Sequence, residues 1–92
     1  MTEDPGPDGL DARRKRIHFR VWRRGIHELD LVLGRFADAH LAVLSETDLD
    51  RLEALLDAPD QLLLAWLTGA EPPPPEYRST LFDRIVAFNR PN

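Results

Sequence analysis

The sequence predicts an all-α protein, a compact five-helix bundle in a single small domain. Three observations carry that prediction. Apolar residues recur at helical spacing through most of the chain after residue 10. No segment alternates with the period of two that a half-buried strand requires. The breaks between periodic segments carry helix stop and start residues, namely Gly25, Ser45, Pro59 and Gly69. With 92 residues and 42% apolar content, the chain can bury one modest core.

Residues 1–10, rich in Asp, Gly and Pro, read as an acidic tail preceding a domain at 11–90. A first helix is expected from Asp11 to Arg24. On it Ile17, His18, Val21 and Trp22 share one side, and Arg13, Arg16, Arg20, Arg23 and Arg24 share the other, while Phe19 falls outside the apolar side and is expected to be exposed. A second helix follows from Ile26 to Ala42, with Ile26, Leu29, Leu33, Phe36, Ala37, His40 and Leu44 in one stripe. Ser45, with Asp48 three residues on, starts a third helix through Leu56 that turns Leu49, Leu52 and Leu56 inward. In the fourth, Pro59 suits the first helical position, Asp60 the first turn and Gly69 the stop. Pro72 to Pro75 form an extended spacer before a fifth helix, Glu76 to Asn89, which presents Tyr77, Leu81, Ile85 and Phe88.

Charge is unevenly spread. Residues 13–24 hold seven cations and no acid, whereas residues 28–60 hold nine acids against Arg35 and Arg51, so a two-sided electrostatic surface is expected. The absence of cysteine excludes a disulfide framework and a thiolate metal site. The longest apolar run, Leu62 to Leu67, is too short to span a bilayer, so no membrane insertion is expected. The opening MTEDPGPDGLDA matches neither a signal peptide nor an arginine-rich presequence, and the chain reads as a bacterial cytoplasmic protein.

Catalytic and metal chemistry find little footing. His18, His27 and His40 lack ligand spacing, and His40 reads as a core-edge histidine with a hydrogen bond. Ser45 reads as a helix cap, and the scattered glycines offer no phosphate loop. Neither a catalytic residue, a metal site nor a cofactor site of the chain's own is expected. The basic first helix offers a second class of function, a nucleic-acid-linked regulator. A sequence pI near 5.2 and the acidic helices argue against that reading.

The stretch RRGIHELD is the strongest candidate site. Gly25 is explained as a junction, because glycine enters a left-handed conformation cheaply. Glu28 could answer the free amides of the second helix. Were the helix continuous, Arg24 and Glu28 would form an exposed i,i+4 pair worth only about 0.3–0.5 kcal/mol, in the less favourable order. Local stability therefore accounts for the glycine and leaves the arginine unexplained.

Arg24, Gly25 and Glu28 match the RGxxE signature of the SdhE-type FAD assembly factors of succinate dehydrogenase, the flavinator family. Leu29 and Asp30 extend it to RGxxELD, and Phe36, Leu44, Ser45, the segment Leu55 to Leu67 and Asn89 fall in the family's order. The resemblance covers about residues 13–90. It departs slightly at His27, where the family often has a stronger base. The resemblance implies a five-helix, non-catalytic assembly factor. Such a factor binds the flavoprotein subunit of succinate dehydrogenase, and often of fumarate reductase, and promotes covalent attachment of FAD, which belongs to that client. It further implies that Arg24, Gly25 and Glu28 meet the client, with Arg16, Arg20, Arg23, His27 and Asp30 in support. Some relatives of the family are labelled antitoxin components, which keeps an antitoxin-like role for the basic helix as the alternative. The resting state is read as a monomer, with a dimer left open.

Overall fold

Helix α1 begins where Asp11 accepts the backbone N–H of Arg14 at 2.9 Å, a side-chain cap that satisfies one of the unpaired first-turn amides. In this computed structural model, which describes residues 10–90, α1 spans Ala12–Val21. It stops three residues short of the expected Arg24. Trp22 leaves helical geometry, and Gly25 takes a φ of +90°, so the chain turns before α2. Leu10, counted with the tail on sequence grounds, is buried in the core; residues 1–9 of that expected tail lie outside the described residues.

Helix α2, His27–His40, is the central element and packs against α1, α4 and α5. It is shorter than the expected Ile26 to Ala42; Leu29, Leu33, Phe36 and Ala37 are buried as the expected stripe requires, and Gly34, outside that stripe, is buried with them. A short 3-10 turn, Leu41–Val43, leads to α3, Glu46–Leu56, where Ser45 accepts the N–H of Asp48 as expected. Helix α4, Asp60–Thr68, begins one residue after Pro59 and ends on Gly69 at φ +86°. Helix α5 spans Thr80–Asn89 rather than starting at Glu76. The difference has a local cause. Pro75–Tyr77 form a separate 3-10 turn, and Ser79 caps α5 by accepting the N–H of Phe82 at 3.0 Å. Tyr77 is consequently not on α5; its ring lies 4.9 Å from that of Trp66. Helix α5 buries Leu81, Phe82 and Ile85, and Phe88 near its end is 42% exposed.

The core joins side chains from all five helices, including Ile17, Leu33, Phe36, Leu49, Leu52, Leu63 and Leu81, and no charged or polar residue is buried among the described residues. Trp22 is half-buried against it and lies so close to α2 that a Cβ on Gly34 would sit 2.3 Å from the indole. Gly34 is therefore required for space, a constraint that helical periodicity does not reveal. His40 is held between aromatic rings, 5.0 Å from Phe36 and 5.3 Å from Phe88, with no hydrogen-bond partner among the described residues.

Candidate functional site

The cations of α1 largely meet partners inside the molecule. Arg13 reaches three carboxylates of α3, Glu46 at 2.7 Å, Asp50 at 2.5 Å and Glu53 at 2.8 Å. Hydrogen bonds to Glu53 and then Asp50 raise its pKa further above an arginine's ordinary value. Arg14 pairs with Asp11 and donates to the carbonyls of Leu41 and Leu44, which close the end of α2 and its 3-10 turn. Arg20 pairs with Asp57 at 2.9 Å. The two-sided charge expected from sequence is thus largely cancelled across the α1–α3 contact, because the basic and acidic segments pack against each other. Among the cations named for the site, Arg16 is exposed with no ion-pair partner among the described residues, and Arg23 lies 4.3 Å over the ring of Phe19. Phe19 is 59% exposed, as its place off the apolar side requires.

Arg24 is organised differently from the expectation. Its side chain is only 11% exposed. Its Nε and Nη2 donate to the same oxygen of Asp60, Oδ1, at 3.0 and 2.6 Å, and Nη2 lies 3.4 Å from the Ala58 carbonyl. The Arg24 backbone N–H donates to Asp30 Oδ1 at 2.9 Å. Two carboxylates therefore brace this residue, one from α2 and one from the first residue of α4. The stability role that local spacing could not supply comes from a residue 36 positions away.

Glu28 takes no part in the brace. It makes neither a pair with Arg24 nor a cap on α2, whose N-cap residue Ile26 has no side-chain hydrogen bond. Glu28, His27 and Gly25 are exposed. A Cβ on Gly25 would meet nothing within 4 Å, so this glycine answers to backbone conformation alone, and it leaves bare main chain on the surface.

Beyond Glu28 opens a groove of about 950 Å³ between α2, the end of α4, the proline spacer and α5. Leu31, Val32, Trp66 and Val86 contribute its apolar lining, with Glu28, Arg35, Asp83 and Arg90 among its charged groups. None of these four charged residues has an ion-pair partner among the described residues. The groove was not legible in the sequence, since its walls come from three distant segments.

The first turns of α2, α3, α4 and α5 each carry an acid, including Glu28 and Asp30 just after Gly25. Among the described residues no cluster of His, Asp and Glu could hold a metal ion, and no helix is long and apolar enough to cross a membrane.

Fold and site together define a small all-α domain that carries its chemically distinctive groups on an outer loop and an open groove. A family model described as "flavinator of succinate dehydrogenase" matches residues 15–89, and the chain belongs to that family. It is 36% identical over 83 residues to the FAD assembly factor SdhE of Acetobacter pasteurianus, covering 90% of this chain and 76% of that relative. It is 39% identical over 61 residues to the mitochondrial succinate dehydrogenase assembly factor 2 of Debaryomyces hansenii, covering 66% of this chain and 43% of the relative. For the corresponding protein of Danio rerio the identity is 29% over 85 residues, with 90% and 54% covered. The chain thus spans about half the length of these two mitochondrial relatives. No solved structure gave a significant match.

Proposed function

We propose that this protein is an assembly factor that binds the flavoprotein subunit of succinate dehydrogenase and promotes covalent attachment of FAD to it. The observation that carries the reading is the family match over residues 15–89, which reaches all five helices and includes the Arg24–Glu28 loop. The geometry supports it in a specific way. The loop is braced from within and presents Gly25, His27 and Glu28 outward, an arrangement suited to docking on another protein.

In this reading the protein is not an enzyme. FAD belongs to the client, and the bond to the client's histidine forms within the client. The assembly factor contributes binding energy that favours a client conformation in which flavin and histidine are aligned. Gly25 and Glu28 form the centre of the client surface, Arg24 braces the loop that carries them, and Arg16, Arg20, Arg23, His27 and Asp30 lie around it. Fumarate reductase is a second client of the same chemistry, and the factor acts as a cytoplasmic monomer. The nucleic-acid alternative retains little free charge on α1, since Arg13, Arg14 and Arg20 are already paired.

The test adds purified protein and FAD to the apo flavoprotein subunit and reads flavin fluorescence that stays with the protein after denaturation. The expected result is faster accumulation of covalent flavin with the factor present. Equal rates with and without it would overturn the proposal.

A further inference from the structure

We infer that Asp60, at the start of α4, is a positioning residue for client binding, and that Arg24 acts through it inside the molecule rather than by touching the client. This inference rests on the proposed assembly-factor function. Nε and Nη2 of Arg24 both point at Asp60 Oδ1, and Nη2 also approaches the Ala58 carbonyl, so one edge of the fork is committed to the turn that begins α4. The side chain is 11% exposed and that of Asp60 29%. A group so enclosed has little surface to offer a partner without first breaking this pair.

The same pair fixes what lies next to it. The Arg24 amide is held by Asp30, so residue 24 is tied to α4 through its side chain and to α2 through its backbone. Gly25 follows at φ +90°, a conformation with no side-chain contact to stabilise it. Nothing else among the described residues grips that glycine, and its geometry is set by the anchored neighbour and by the start of α2. Without Asp60 the loop keeps its backbone tie to Asp30 but loses the tie to α4. The surface formed by the Gly25 main chain and Glu28 then samples more conformations, and ordering it on contact lowers affinity.

The measurement is client affinity, at a temperature where circular dichroism shows every variant folded. The full-length protein is titrated with the purified apo flavoprotein subunit, using Asp60→Ala, Arg24→Ala, Glu28→Ala and their pairwise combinations. Asp60→Ala and Arg24→Ala are each expected to weaken binding on the order of tenfold, with the double variant no weaker than either alone. Glu28→Ala is expected to lose much of its effect in the Asp60→Ala background, because the loop that presents Glu28 is no longer set. A purely structural role for Asp60 would leave the Glu28→Ala factor unchanged. Asp60→Asn, which keeps an acceptor oxygen and removes the charge, replaces Asp60→Ala should the latter not fold, with a smaller loss of the same pattern. Asp60 variants that bind within twofold of wild type overturn the inference, as do Asp60 and Arg24 effects that multiply. A wild-type protein that does not bind the client overturns the assembly-factor reading itself, a different failure visible before any variant is made.

Discussion

The side of the molecule where α1 and the loop after it face α3 and the start of α4 differs sharply from the groove between α2, α4 and α5. On the first side, charges are matched within the chain: Arg13 to three acids of α3, Arg20 to Asp57, Arg24 to Asp60. On the second, Glu28, Arg35, Asp83 and Arg90 surround apolar side chains and have no ion-pair partner among the described residues. A run of charge in the sequence is therefore a poor guide to a binding surface. Most of the densest run is paired within the fold, and the sparser charges around the groove are left open.

The largest expected effect lies in the packing that joins the two sides, where Trp22 at the end of α1 meets α2. Gly34→Ala would place a methyl 2.3 Å from the Trp22 ring, so the indole must move. The expected loss is about 1–3 kcal/mol, read from thermal or urea unfolding. Trp22→Ala in the same chain removes the obstruction, so the double variant should lose clearly less than the sum of the two single losses. Simple additivity would show that the close approach is not what Gly34 provides.

Gly25→Ala comes next, and it separates two meanings of glycine. Space is free around Gly25, but φ is +90°, where a side chain is strained, so a loss of about 1 kcal/mol is expected in the same unfolding measurement. If stability were unchanged, the loop would be adapting its backbone, and the brace by Asp30 and Asp60 would be weaker than its geometry indicates.

These two glycines also mark how far the sequence could be read. Gly25 was visible as a junction because a local rule, the need for a left-handed residue between two periodic segments, identifies it. Gly34 was invisible because its neighbour, Trp22, reaches it only through the packing angle of α1 on α2. The same division runs through the site. Ser45 as a cap and the buried stripe of α2 follow from local spacing, and both appear in the fold. The Arg24–Asp60 pair depends on where α4 lands, and so a residue read as lacking a stability role turned out to have one. The start of α5 was missed for a local reason instead: Tyr77 falls in phase with Leu81, Ile85 and Phe88, but the 3-10 turn and the Ser79 cap end that continuity.

A smaller effect is expected at the first residue of the closed side. The N–H of Arg14, followed by the charges of Arg14 and Arg13, holds the Asp11 carboxyl below its ordinary 3.8. A carboxylate with a depressed folded pKa contributes stability that is fully present above about pH 4, near the unfolded value, and is lost as pH falls through the folded value. Melting temperature measured from pH 6 down to pH 2 should therefore decline less steeply below pH 4 in Asp11→Asn than in wild type. Identical acid slopes would remove Asp11 from the account of how α1 begins.

The smallest expected effect on stability is at the open side, and there the comparison is sharpest. Glu28 is exposed and unpaired among the described residues, so Glu28→Ala should change unfolding free energy by no more than about 0.5 kcal/mol. The same variant should slow covalent flavin attachment in the assay above, because the proposed function places Glu28 against the client. Arg13→Ala should do the reverse. It leaves Glu46, Asp50 and Glu53 repelling one another on α3, so the melting temperature falls, most at low salt, while flavin attachment measured on the folded protein is unaffected. Paired in this way, the two variants ask whether stability and recognition occupy separate surfaces. If Arg13→Ala impaired flavin attachment as much as Glu28→Ala did, the internal charge seam would belong to the recognition surface, and the division between a closed and an open side would fail.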